Sequence, residues 1–124
     1  MPQYMIVSYL PDDFDPSTVP ETVFEEIYTL NREMIAAGIR KFACGIAPVA
    51  EAKTLRRQPD GKVLVTDGPY IETKEHLGGL LVLEAASMDE ALAWARRGTM
   101  TSVPVEVREI VFHPAPSREA EAGK

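Results

Sequence analysis

The sequence predicts an α+β domain built on an antiparallel sheet, and three observations carry that prediction. Apolar runs of strand length stand at Tyr4–Leu10, Leu80–Leu83 and Val103–Phe112. An amphipathic stretch of helical period follows each of the first two runs. Between them a Pro-Asp-Gly turn at 59–61 is flanked by two short extended segments, the signal of a hairpin. A chain of 124 residues, 45% hydrophobic and 26% charged, has ordinary globular usage and holds one core, not two.

Tyr4–Leu10 is a near-continuous apolar run, the pattern of a buried strand, closed by Pro11 and by Asp12, Asp13 and Asp15. A helix is expected from about Thr18, whose hydroxyl caps while Glu21 reaches back from three residues on. Val23, Ile27, Leu30 and Met34 form one apolar stripe, with Glu25, Glu26, Arg32 and Glu33 on the outer face. Gly38 is placed to close the helix in the left-handed conformation.

A second strand is expected over Ile39–Ile46, then a hairpin of Lys53–Gln58 and Lys62–Thr66. Leu80–Leu83 reads as a fully apolar central strand. The second helix begins at Ser87, with Glu90 as capping partner, and ends near Gly98 with Arg96 and Arg97 in its last turn. In the last strand Val103, Val105 and Val107 alternate with Pro104, Glu106 and Arg108; the alternation slips near Glu109, where a bulge is expected. The domain is expected over residues 1–113, followed by a Pro-, Ala- and Glu-rich tail over 114–124.

Without the hairpin this order is a ferredoxin-like split βαβ unit. Its helices cover one sheet face only. An exposed second face exceeds the apolar patch a monomer keeps, so a homodimer is expected to cover it.

Composition excludes several classes. The net charge is −6 and the pI about 4.9, which disfavours nucleic acid; Arg56-Arg57 and Arg96-Arg97 read as solvated positions. No apolar run approaches the roughly 20 residues that span a bilayer. The N-terminus has no basic region leading into an apolar core, so a cytoplasmic location and no membrane contact are expected. Cys44 is the single cysteine and reads as a small buried hydrophobe. Two histidines and one distant cysteine do not suggest a metal site, and Gly78-Gly79 leads into a strand, the wrong context for a dinucleotide. Neither metal nor cofactor is expected; those glycines instead suit a bend or a close backbone approach.

The segment Thr66–Gly79 reads TDGPYIETKEHLGG. It resembles the signature of the DGPF, or YCII-related, family: DGPF, Ala, ETKE, a variable residue, then LGG. Asp67, Gly68, Pro69, Glu72, Thr73, Lys74, Glu75, Leu77, Gly78 and Gly79 match, while Tyr70 stands for Phe and Ile71 for Ala. The similarity spans roughly residues 4–112 in order. It implies a dimeric α+β barrel, two ferredoxin-like sheets face to face around a cavity. It also implies two functional contexts: relatives with a His-Asp pair look like enzymes, one resembling a lactone dehalogenase, and other members sit near extracytoplasmic-function sigma factors. The histidine of those relatives follows the first strand, where this chain has Tyr9 and Leu10.

Asp67 and Glu72 are the candidate catalytic residues; Tyr70, Lys74 and Glu75 are the candidate ligand-binding residues. Asp67 suits a turn, accepting from backbone two residues on, and equally a general base, with Glu72 and Glu75 raising its basicity by like charge. Lys74 suits an anionic ligand or an ion pair within the loop. Tyr70 packs or offers its hydroxyl to a ligand. His76 reads as a surface residue and His113 as exposed. Three functions remain open: a cofactor-free enzyme acting by proton transfer on a small organic molecule, a non-catalytic ligand-binding or regulatory partner associated with a sigma factor, and a structural dimer.

Overall fold

The computed structural model describes residues 1–98 and 103–114. Its order is β1 (Gln3–Pro11), α1 (Glu21–Ala36), β2 (Arg40–Gly45), β3 (Lys53–Arg57), β4 (Val63–Asp67), β5 (Glu75–Glu84), α2 (Met88–Gly98) and β6 (Val105–Ile110). Four strands form one antiparallel sheet in the order β2-β5-β1-β6, and β3-β4 is a separate two-stranded sheet. This is the ferredoxin-like α+β fold with an inserted hairpin. Apart from Pro114, the expected tail lies outside the described residues.

Both helices pack on one sheet face. Leu30 and Met34 of α1 and Ala91 and Ala95 of α2 meet Tyr4, Ile6 and Leu83, with Leu81, Val105 and Val107 at the edge of this cluster. The stripe read from the sequence is the one buried. Strand alternation then fixes the opposite face. Cys44, Leu80, Val7 and Glu106 form one row across all four strands, and Phe42, Val82, Met5 and Arg108 form the next. No helix among the described residues covers these rows. Cys44 is only half-buried there, less than expected.

Helix α1 does not begin at Thr18. Asp15 caps a short 3-10 turn instead, accepting from the Ser17 backbone and hydroxyl, and Thr18 donates to the Asp15 carbonyl. Pro20 is the N-cap and holds Val19 extended, as a proline does to the residue before it, so no helix can run through 18–20. The other end agrees with the sequence. Gly38 has φ +73°, its N–H reaches the Ile35 carbonyl, and the Ile39 N–H reaches that of Met34, a Schellman closure with Ile39 packed on Met34.

Helix α2 is capped from Ser87, whose hydroxyl accepts the Glu90 N–H at 3.2 Å. The Glu90 carboxylate accepts the Ala86 N–H at 2.9 Å, one residue earlier than in the usual capping box.

The expected bulge near Glu109 is absent, since β1 and β6 stay in register from Gln3–Ile110 to Ser8–Val105. The irregularity lies on the other side of β1. Ser8 pairs with Gly79 and Tyr9 with Leu77, leaving Gly78 as the extra residue of β5. That strand begins at Glu75, five residues before the apolar run, so the glycine pair lies inside it.

Candidate functional site

The segment resembling the family signature leaves the hairpin at Asp67 and joins β5 at Glu75. Its first turn is held by backbone. Gly68 has φ +95°, its N–H donates to the Ala52 carbonyl at 2.8 Å, and its carbonyl accepts from the Thr54 hydroxyl at 2.8 Å. The Asp67 side chain takes no part in that turn. Its carboxylate pairs with the Lys53 ammonium directly across the hairpin and is 86% exposed.

Tyr70 is 69% exposed and lies beneath the Arg56 guanidinium, 5.1 Å from its ring centroid, a cation–π contact. Glu72, Lys74 and Glu75 are also exposed. The Lys74 carbonyl accepts the Asp12 N–H at 2.9 Å, which continues the β1-β5 ladder past Pro11. Asp67 thus answers a lysine on the facing strand, and the ion pair expected within the loop is not formed by it. Within one chain the five nominated residues line no common cavity among those described. A cleft of about 470 Å³ lies between the helices instead, lined by Thr22, Glu25, Glu26, Thr29, Leu30 and Arg97.

The hairpin itself is unusual for a solvated element. Leu55, Val63, Leu64 and Val65 are all at least 48% exposed. Ile71 and Phe42 are also exposed. A two-stranded hairpin is marginal alone in water, and this one carries apolar side chains on both faces.

One pair was missed from sequence. His76 is not a surface residue: its side chain is 15% exposed, and its Nε2 pairs with Oδ1 of Asp12. Leu10 is the register partner of His76, and Asp12 lies two residues beyond Leu10. Alternation therefore puts Asp12 and His76 on one side as diagonal neighbours, within side-chain reach. His113 is exposed, as expected.

Among the described residues, three ionisable groups are shifted by their surroundings. Lys41, which donates to Glu84 at 3.1 Å, holds the Glu84 carboxyl below the usual carboxylate range. Hydrogen bonds from Ser17 do the same for Asp15. Burial pushes the Tyr4 hydroxyl up, with Glu109 and Glu90 adding to the effect. On the sheet face opposite the helices the Tyr9 hydroxyl donates to Glu106 at 3.3 Å.

An uncharacterised protein of Rhizobium meliloti (strain 1021) is 38% identical over 76 residues, which is 61% of this chain. The match covers 60% of that relative's length. The YCII-related domain matches residues 3–112, the whole of the β1–β6 fold with its signature segment. The chain belongs to the YCII-related family.

Proposed function

We propose that the chain acts as a cytoplasmic homodimer, with residues 1–113 as its working unit. It binds a small organic molecule in a barrel cavity between the uncovered faces of two sheets. One observation carries this reading: the face bearing Phe42, Leu80, Val82 and Met5 has no described helix over it, and the hairpin carries exposed apolar side chains. A second copy covers both at once. In that assembly Asp67 and Glu72 are the proton-transfer carboxylates, and Tyr70, Lys74 and Glu75 hold the ligand without cofactor or metal. The alternative is a ligand-binding or regulatory partner of a sigma factor without chemistry. The lysine paired with Asp67 favours it, because that carboxylate is already engaged by a cation of its own chain.

Light scattering on the eluting protein gives a mass near twice 13.7 kDa, and Leu64→Lys on the hairpin returns it to the single chain. A wild-type mass near 13.7 kDa ends the proposal. A thermal-shift screen of small acids and lactones then finds the ligand, since about 100 times the dissociation constant stabilises by about 2.7 kcal/mol. Asp67→Asn abolishes turnover and keeps binding in the enzyme reading. In the regulatory reading no turnover exists to lose.

A further inference from the structure

We infer that Asp12 and His76 form a proton-transfer pair, a site separate from the barrel cavity. It lies where β1 ends and β5 begins, on the side of the sheet that carries Tyr4 and Ile6. The Asp12 carboxylate engages Nε2 of an imidazole that is only 15% exposed. A carboxylate on one ring nitrogen fixes the ring and assigns the proton to that nitrogen, leaving Nδ1 as the basic lone pair. No other hydrogen bond or ion pair engages the ring among the described residues.

His76 is the proton-transfer residue, and Asp12 is the positioning residue that fixes its tautomer. In the step, Nδ1 takes a proton from carbon or oxygen of the bound molecule, whose bonding pair stays behind. The imidazolium formed is balanced by the Asp12 carboxylate. Return of that proton to a different atom of the same molecule completes an isomerisation, with no oxidant or further reactant.

The surroundings select the substrate by charge. The two segments joined by the Asp12–Lys74 backbone bond carry Asp12, Asp13, Asp15, Glu72 and Glu75 against Lys74. That field repels anions, so the site takes a small neutral or cationic molecule with an acidic C–H or O–H.

The test uses the full chain, whose histidines are His76 and His113. Long-range proton–nitrogen spectra of the neutral imidazoles show His76 protonated at Nε2, while His113 shows the mixture of tautomers of a free ring. Diethyl pyrocarbonate, which acylates an accessible unprotonated imidazole nitrogen, modifies His76. Asp12→Ala scrambles the tautomer and slows this modification. Asp12→Asn keeps the shape without the charge and serves if the alanine variant does not fold. A His76 protonated at Nδ1, unreactive while His113 reacts, or indifferent to both variants overturns the inference. No readout needs a dimer or a known substrate, so failure here leaves the proposed dimer standing, and a monomer leaves the pair standing.

Discussion

Alanine at Gly78 tests whether the bulge of β5 is packed against β1 as described. A Cβ built there lies 2.2 Å from Leu10 Cδ1, 2.5 Å from Cγ and 3.3 Å from Cβ, where carbon atoms prefer about 3.5–4.0 Å. Gly78 has no positive φ, so the penalty is steric rather than conformational. Rotating Leu10 removes the two shortest contacts but not the third, because Cβ is fixed by the backbone of β1. The strands must therefore part by a few tenths of an ångström as well. Overpacking of this kind costs about 1–3 kcal/mol. Leu10→Ala deletes Cγ and Cδ1 and loses part of its own packing. Combined with Gly78→Ala it leaves only the 3.3 Å approach. The double variant is then more stable than the two single costs predict, by about 1 kcal/mol or more. Chemical denaturation of all four proteins at one fixed concentration measures this, since the midpoint of a dimer moves with concentration. Additivity within about 0.5 kcal/mol, as for independent sites, refutes the packing argument.

Two further outcomes follow from the caps and charges. Ser87→Ala removes the hydroxyl that accepts the Glu90 N–H and costs about 1 kcal/mol; an unchanged denaturation midpoint shows that Glu90 alone suffices to cap α2. The Glu84 carboxyl titrates lower in the folded chain than in the unfolded one because Lys41 donates to it. Its stabilisation is therefore complete above the ordinary carboxylate range near pH 4 and is lost as pH falls through the lowered folded value. Lys41→Met flattens that part of the acid limb in midpoint-against-pH curves, and parallel curves for variant and wild type rule the pair out as its source.

Much of the fold was legible because its signals are local. The α1 stripe, the Gly38 closure, the Ser87 cap and the Pro-Asp-Gly turn each need only a few neighbouring residues, and all stand as read. The misplaced start of α1 was legible too: Val19 before Pro20 outweighs a Thr18–Glu21 box. What the sequence concealed depends on pairing between distant strands. Lys53 meets Asp67 only through hairpin register, and His76 meets Asp12 only through the β1-β5 register. The density of charge around Asp67 drew attention to the loop. The partly buried ionisable pair stood one residue further on, in the slot that the family signature leaves variable.

Gly78 acts on β5 as a single inserted letter acts on a reading frame. From Gly79 onward the strand keeps the phase that sends Leu81 and Leu83 toward the helices. Before Gly78 the phase is reversed: Leu77 is matched to Tyr9 and His76 to Leu10. In uninterrupted phase His76 would stand opposite Pro11, on the face of Leu80 and Val82, and Asp12 would face Glu75, carboxylate against carboxylate. One residue without a side chain thus exchanges a repulsive pairing for an attractive one. It lets a single strand serve two environments, a core along most of its length and an ionisable pair at its end.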